Sequence, residues 1–241
     1  MKKLPKILMI SVFTAGFIYS VVVNIPAWMV GTFVSKYSQQ RLDTANERGT
    51  FWHGQALLIA QDLDSHSAVP LIMVSWQIKL GLTKFITLSF SAANKAIATA
   101  ELTKSGLQVT NLDLALSLDQ VAPLLGNLNS LGLSGNVHLA AAKILLAKKN
   151  QGIINIQLED VGSGIAPVNP LGSYQIAFDL AGQSLTVSSD SGSVLDVSGE
   201  GNLTSLVLKS RVVEDKKEKL LQFMTMMGIP QADGSYNMKV F

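Results

Sequence analysis

The chain has 241 residues, a net charge of +2 and no cysteine. The lack of cysteine excludes disulfides, thiolate metal ligands and cysteine nucleophiles within it. A charge so close to neutral gives no basic surface of the kind that binds nucleic acid. Charged residues make up 15% of the chain, below the roughly 25% of average soluble domains, which indicates much apolar surface.

The first predicted element is an uncharged, mostly apolar stretch from Ile7 to Ser35, preceded by three lysines. It exceeds the roughly 20 residues that cross a bilayer as a helix. Lysines on the short N-terminal side predict that this end stays in the cytoplasm. The predicted segments are a cytoplasmic N-terminus over 1–6, a transmembrane anchor with an interfacial helix extension over 7–34, and a β-rich domain over 35–241.

A cleaved secretory signal peptide is the alternative interpretation of this stretch. The apolar run from Ile7 to Val23 is longer than the roughly 7–15 residues of a signal core. No pair of small residues with cleavage-site spacing follows it, and Pro26 and Trp28 suit a helix that ends at the membrane interface. We therefore expect an uncleaved anchor.

The rest of the chain predicts strands. Glycines bracket an aromatic pair in Gly49–Gly54, which is typical of a turn that leads into a strand. Polar and apolar residues alternate from Trp76 to Leu80 with the period of two of a half-buried strand. Further strands are predicted over 55–60, 87–91, 96–102, 106–117, 135–139, 153–158, 174–178, 185–189, 194–198, 206–213 and 234–240.

Two helices interrupt these strands. The first is predicted from Asp119, as N-cap, to Gly126. The second runs from about Lys216 to Met227, with Asp215 as its N-cap. Its apolar residues recur at helical spacing and predict packing on the sheet, although a methionine-rich binding face is an alternative. These residues are Leu220, Phe223, Met224 and Met227.

An internal duplication is predicted over 70–139 and 167–241. The segment Ser75–Ile78 matches Ser173–Ile176, and each copy has several strands, then a helix, then a glycine-led strand. Chance similarity among alternating strands is the alternative. The predicted fold is mainly β with a few helices: a curved antiparallel sheet built from two strands-plus-helix units.

No catalytic, cofactor or metal site is predicted. The three histidines, His53, His66 and His138, have no metal-ligand spacing, and no phosphate-loop, dinucleotide or nucleophile-elbow motif occurs. The segment Asp62–His66 is interpreted as a solvated loop rather than a cation site, and Gly162–Gly164 as a flexible turn. The tryptophans Trp52 and Trp76 are expected to fill the core, with a partner contact as the alternative.

Several motifs, taken in order, resemble the protein N family of the type II secretion system. The chain has a basic start, an apolar helix, a Gly-Thr-x-Trp-x-Gly turn, a Trp-x-aliphatic strand, a Pro-Leu-Gly-x-Tyr segment and a closing Asp-Gly-x-Tyr strand. The residues that carry these motifs are Gly49, Thr50, Trp52, Gly54, Trp76, Pro170, Leu171, Gly172, Tyr174, Asp233, Gly234 and Tyr236. The chain departs from the family at Gln77, where an arginine is frequent.

The resemblance implies a single-pass protein of the inner membrane of a Gram-negative cell, with its N-terminus cytoplasmic and its bulk periplasmic. Its partners would be the inner membrane and other type II secretion proteins. The family is distantly similar to AsmA-like proteins, whose curved sheets are linked to lipid traffic, so lipid is a second expected partner.

Three functional hypotheses follow. The first is a non-enzymatic accessory or assembly component of the secretion system that acts through protein contacts. The second is an AsmA-like groove that binds or transfers lipid in the periplasm. The third, a hydrolase, has no motif in its support. The expectation is therefore that this protein is not an enzyme and needs no cofactor.

Overall fold

The computed structural model describes residues 4–62, 67–81, 85–202 and 204–239. In these residues fourteen strands form one antiparallel sheet. Each strand pairs with its neighbour in the chain, except that β14 lies between β12 and β13. The prediction of a mainly β, antiparallel fold with few helices is confirmed.

The strands are β1 Leu42–Gly49, β2 His53–Gln61, β3 Ala68–Leu80, β4 Ile86–Ala92, β5 Lys95–Thr103, β6 Gly106–Ser117, β7 Leu133–Leu146, β8 Ile153–Ser163, β9 Gly172–Asp179, β10 Ser184–Ser189, β11 Leu195–Asn202, β12 Ser205–Val212, β13 Ile229–Pro230 and β14 Tyr236–Lys239. The helices are α1 Leu4–Val23, α2 Trp28–Tyr37, α3 Leu118–Val121 and α4 Lys217–Met227. A 3-10 helix, Ala122–Leu131, continues α3, and a 3-10 turn, Glu214–Lys216, precedes α4.

The N-terminal segment 7–34 is divided between two helices. The first helix, α1, ends at Val23 and α2 begins at Trp28. Pro26 explains the break, because its ring would clash with the carbonyl four residues earlier and it has no N–H to donate. Within the described ranges, no helix combines the length and the apolar character needed to cross a membrane.

Strand β1 is absent from the predicted strands. Its sequence is Leu-Asp-Thr-Ala-Asn-Glu-Arg-Gly, without the apolar alternation of a half-buried strand. It lies at one edge of the sheet and its pairing with β2 shifts between Ala45 and Arg48. Charges and a bulge on an edge strand oppose pairing with other chains, so a polar sequence suits this position.

Both predicted N-caps are wrong. Helix α3 is capped by Ser117, whose backbone N–H donates to the Gln120 side chain at 3.2 Å. The helix continues past Gly126 as the 3-10 helix. Asp215 lies in the 3-10 turn before α4, where Lys216 takes the N-cap position without a side-chain hydrogen bond. Ser117 caps α3 because the helix follows β6 directly, and Lys216 starts α4 because a 3-10 turn precedes that helix.

Helix α4 packs on the sheet as its apolar stripe predicts. Leu220, Phe223 and Met224 are buried, and Met227 packs against them. The helix ends at Gly228, whose N–H donates to the Met224 carbonyl at 2.9 Å. The core beneath α4 also includes Leu118, Val161, Leu171, Tyr174, Leu195, Val197 and Val212.

Apolar side chains form continuous rows across β3–β7. Directly opposed residues of antiparallel strands lie on the same face of a sheet. One row is Leu80, Ile86, Leu102, Leu107 and Leu146, and the next is Ile78, Leu88, Ala100, Val109 and Ile144. Rows with the other parity are polar, such as Gln77, Ser89, Thr99, Thr110 and Lys143. This stretch of the sheet is therefore apolar on one face and polar on the other.

The order of elements recurs along the chain. Four strands, β3 to β6, precede α3 and then β7, and four strands, β9 to β12, precede α4 and then β13 and β14. Trp76 and Tyr174 lie in the first strand of each series. A common origin of the two series stays a prediction.

Candidate interaction site at the helix-sheet junction

The segment Gly49–Gly54, which includes the turn between β1 and β2, contains four of the family-like residues. Gly49 has a φ of 92°, in the left-handed region that glycine adopts without strain. A Cβ there would also lie 2.6 Å from the His53 carbonyl oxygen. The Thr50 N–H donates to that same oxygen at 2.8 Å, which closes the turn.

This turn binds the linker between α1 and α2. The Phe51 N–H donates to the Ile25 carbonyl at 2.8 Å, and the Ala27 N–H donates to the Gly49 carbonyl at 3.3 Å. The Trp52 indole N–H donates to the Val22 carbonyl at 2.7 Å. That carbonyl lies in the last turn of α1, where helix carbonyls have no partner within the helix. The turn thus supplies hydrogen bonds that the helix end lacks.

Trp76 of β3 fills the space beneath this turn. Its side chain is only 7% exposed and packs with Ala27 and Ala56. Its indole N–H donates to the Phe51 carbonyl at 3.0 Å. Gly54 lies directly opposite it, and a Cβ on Gly54 would come 2.7 Å from the Trp76 ring. Trp76 is therefore a core residue, as expected, whereas Trp52 is half-buried and bonds to the last turn of α1.

The Pro-Leu-Gly-x-Tyr segment lies in the other core, beneath α4. The N–H of Leu171 donates to the Val161 carbonyl at 2.7 Å, and its carbonyl accepts from the Leu195 N–H at 2.9 Å. Gly172 has a φ of 155°, and a Cβ there would contact Ser193. Pro170 begins this segment, immediately before these contacts.

Tyr174 is anchored in this core by its hydroxyl. The hydroxyl donates to the Leu195 carbonyl at 3.1 Å, and the side chain is buried. Burial raises the pKa of the Tyr174 phenol well above its usual range, and the nearby Asp196 charge adds to the effect. Both causes favour the neutral phenol, which is the form that donates this hydrogen bond.

The closing motif forms the turn before β14. Asp233 accepts from the Lys209 ammonium at 2.7 Å and from the Ser235 N–H at 3.1 Å. The hydrogen bond from Lys209, followed by those from Ser235, holds the pKa of the Asp233 carboxyl well below its usual range. Gly234 has a φ of 78°. Tyr236 pairs with Ser210 and packs against the core beneath α4.

The structure thus separates the family-like residues into two groups. Gly49, Thr50, Trp52, Gly54 and Trp76 meet at the junction of α1, α2 and the sheet. The residues from Pro170 to Tyr174, together with Asp233, Gly234 and Tyr236, hold the core beneath α4. The first group contacts the end of α1 and the linker between α1 and α2.

Two polar clusters have no signal in the sequence. Ser163 is fully buried, and its hydroxyl donates to the Leu131 carbonyl at 2.7 Å. Its backbone N–H donates to the Asn169 side-chain oxygen at 2.8 Å. Because β8 continues to Ser163, the flexible turn expected over Gly162–Gly164 is wrong. Asp113 pairs with His138 at 2.8 Å and with Lys95 at 2.7 Å. These partners are far apart in the chain, so spacing does not bring them together.

The described ranges contain no group of three or more histidine, aspartate or glutamate side chains that could hold a metal ion. Of the segment Asp62–His66, positions 63–66 lie outside those ranges. His53 instead accompanies Thr50 within the β1–β2 turn, where its ring nitrogen lies 3.4 Å from the threonine hydroxyl. The contacts that the structure shows at the junction are side-chain packing and hydrogen bonds.

Gly54→Ala tests the packing at the junction. The added methyl group would overlap the Trp76 ring and the Arg48 carbonyl, each at 2.7 Å from the Cβ position. We expect the free energy of unfolding to fall by about 1–3 kcal/mol, as overpacking a tight core does. Urea unfolding of the purified chain, followed by tryptophan fluorescence, measures the loss.

Gly164→Ala is the matched control, because the nearest atom to its Cβ position is 3.7 Å away. This variant should stay within about 0.5 kcal/mol of the wild type. Equal stability of the two variants would contradict the packing described for Gly54 and Trp76.

Comparison with known families gives one result. The family described as type II secretion system (T2SS), protein N, matches residues 40–239. The match covers most of the chain and begins between α2 and β1. Searches of curated proteins and of solved structures find no match. Because the family match covers most of its length, the chain belongs to the protein N family of the type II secretion system.

Proposed function

We propose that this chain is a non-enzymatic accessory or assembly component of the type II secretion system. It supports the export of folded proteins across the outer membrane through contacts with other secretion proteins. Family membership over residues 40–239 is the observation that carries the proposal. The helix-sheet junction adds to it, because a sheet fixed to a helix pair is suited to presenting surfaces for binding.

The proposed location is the inner membrane, with the N-terminus cytoplasmic and the sheet periplasmic. In support, α1 exposes a nearly unbroken apolar surface: Met9, Ile10, Val12, Phe13, Phe17, Ile18, Tyr19, Val21, Val22 and Val23. Isolated exposed apolar residues are ordinary, but a contiguous patch of this size marks a contact with protein or membrane. The lysines before Ile7 favour a cytoplasmic N-terminus. In this proposal α1 attaches the protein to the membrane.

The end of the sheet near α4 is a proposed protein contact. Leu221 and Met226 of α4 are exposed apolar side chains, and Ile229 of β13 is exposed beside them in the chain. A crevice of about 240 Å³ in the same region is lined by Arg211, Glu214, Lys217 and Asp233, among others. Apolar side chains with charges of both signs around them are typical of protein interfaces.

Deletion of this protein in a cell with a type II system should lower the amount of secreted substrate in the medium and leave it in the periplasm. Immunoblots of the two fractions measure the export. A resident periplasmic protein is the control for leakage and should not change.

A photo-crosslinking residue at Leu221 or Met226 should capture another secretion protein, whereas one at exposed Ser188 of β10 is the control. Unchanged export in the deletion strain, together with no crosslink beyond the Ser188 level, would exclude the proposed role.

Lipid binding is the second candidate, favoured by the apolar rows of β3–β7. Leu80, Leu102 and Leu146 of one row are exposed. An acyl chain lying across these rows would remove apolar surface from water, at about 25 cal/mol per Å². Ala27 and Val30 cover part of the sheet near Trp76. The apolar rows of β3–β7 extend past that covered part.

A photoactivatable phospholipid tests this candidate, with adducts on the full chain mapped by mass spectrometry. We expect adducts on peptides of β3–β7 as well as α1, and a several-fold loss from the sheet peptides in Leu102→Asp. Gln108→Asp, on the polar face, is the control and should keep them. Adducts confined to the N-terminal helices would contradict lipid binding by the sheet.

A further inference from the structure

The exposed apolar surface of the sheet is concentrated at one end of β3–β7. The outermost apolar row there begins at Leu80 and ends at Leu146, next to the turns that connect these strands. Among the described residues from 42 to 212, eight large apolar side chains are exposed, and three of them lie elsewhere: Met73, Ile165 and Val207. The other five lie in this row or directly beside it: Leu80, Phe85, Leu102, Leu146 and Ile153. Because the members of the row pair directly across the strands, they form one apolar surface.

The row has the length of an acyl chain. It crosses the strands from β3 to β7, which lie about 4.8 Å apart, so it spans about 19 Å. The hydrocarbon of one membrane leaflet is about 15 Å thick, half of the roughly 30 Å core. A single acyl chain laid along the row would therefore cover most of it.

Three lysines stand in the turns beside this row. Lys104 follows Leu102 by two residues, and Lys148 and Lys149 follow Leu146 closely in the chain. All three, called the turn lysines below, are exposed. A lysine stem lies on apolar surface while its ammonium stays in water. The turn lysines therefore place positive charge at the edge of the apolar row.

The charges of the turn lysines are close together and uncompensated. A Cβ on Gly106 would contact the Leu146 carbonyl and Ala147, so the β5–β6 turn adjoins the β7–β8 turn. Asp179, the last residue of β9, accepts the Ala181 N–H of its own turn at 2.9 Å. The turn lysines form no ion pair with any residue that the structure describes. Their ammonium groups are available to an anion.

The opposite ends of these strands have exposed charges of the other sign. Asp119 of α3 and the neighbours Glu159 and Asp160 of β8 are exposed there. Lys95, at that end of β5, is paired with Asp113 at 2.7 Å. An anionic group is therefore attracted to the turn end of the sheet and repelled at the other end.

We propose that the apolar surface of β3–β7 binds an anionic phospholipid whose phosphate lies among the turn lysines, at the Leu146 end of the row. Its acyl chain extends along the row toward Leu80. Lysine ammonium groups bind phosphate as point charges, and this attraction acts over about 10 Å at 0.1 M salt. Lys79 at the other end of the row lies in a polar row with Thr87, which favours the Leu146 end for the headgroup.

This inference rests on the proposed lipid binding and adds the class of headgroup to it. Two photoactivatable phospholipids with the same diazirine acyl chain test it: phosphatidylglycerol, which carries a net negative charge, and phosphatidylcholine, which does not. The full chain is labelled with each lipid in mixed detergent micelles. Mass spectrometry of chymotryptic peptides measures the yield of adducts on β3–β7.

The test variant removes the three turn charges, and a matched variant removes three charges elsewhere. The turn variant combines Lys104→Gln, Lys148→Gln and Lys149→Gln. The control variant combines substitutions at the start of α4: Lys216→Gln, Lys217→Gln and Lys219→Gln. We expect phosphatidylglycerol to give several-fold more sheet adducts than phosphatidylcholine in the wild type and in the control. In the turn variant, the phosphatidylglycerol yield should fall several-fold, to the unchanged phosphatidylcholine level.

Equal yields of the two lipids in the wild type, or a preference that survives in the turn variant, would overturn this inference and leave lipid binding by the sheet intact. No sheet adducts with either lipid would overturn both. An equal loss of both lipids in the turn variant would mean that the lysines support the sheet rather than the headgroup, and would also overturn the inference.

Discussion

The hydrogen bonds between the β1–β2 turn and the α1–α2 linker are the constraint on which the arrangement of this protein depends. Two bonds join the turn to the linker, from Phe51 to Ile25 and from Ala27 to Gly49, and a third, from Trp52 to Val22, joins it to the last turn of α1. Each contributes about 1 kcal/mol, and Trp76 supports them from below by packing and by its bond to Phe51. Helix α2 also packs on β1, where Gly31 lies beside Thr44, so these bonds matter most for the position of α1.

The sheet itself is held by contacts between neighbours in the chain. Every strand from β1 to β11 pairs with the next one, so pairing along most of the sheet involves strands that are neighbours in the chain. Such a sheet has two open edges, and each edge strand has features that oppose pairing with another chain. The β1 edge is charged and bulged, while β13 at the other end is short and contains Pro230. Helices α2 and α4 pack near these two ends.

The sequence predicts much of this fold because alternation of apolar and polar residues is the physical signal of a half-buried strand. Strands such as β6 and β9 have this signal, and so has the apolar stripe of α4. It fails at β1, an edge strand with little apolar burial. Within β6 the alternation also shifts by one residue at Asn111, so that apolar residues fall on odd-numbered positions before it and even-numbered positions after it. The φ of Asn111 is 54°. Asparagine tolerates that conformation better than most residues other than glycine. An asparagine within a strand sequence does not by itself predict a left-handed conformation.

The junction was predictable in part. The Gly-Thr-Phe-Trp-His-Gly segment indicates a turn, and the family resemblance singles out its residues. Its contact with the α1–α2 linker depends on the indole of Trp52 and on backbone groups, which have no sequence pattern. The same holds for Ser163 and Asn169, and for Asp113 with His138 and Lys95. Polar pairs distant in the chain meet only once the strand register is set.

Amide hydrogen exchange of Ala27 and Phe51 in the full chain tests the central claim most directly. Their N–H groups donate across the junction, to Gly49 and Ile25. If the junction is a fixed part of the fold, both should exchange nearly as slowly as the amide of Trp76 in β3. Exchange of both at the rate of an unprotected peptide, while the β3 amides remain protected, would contradict a rigid connection between the helices and the sheet.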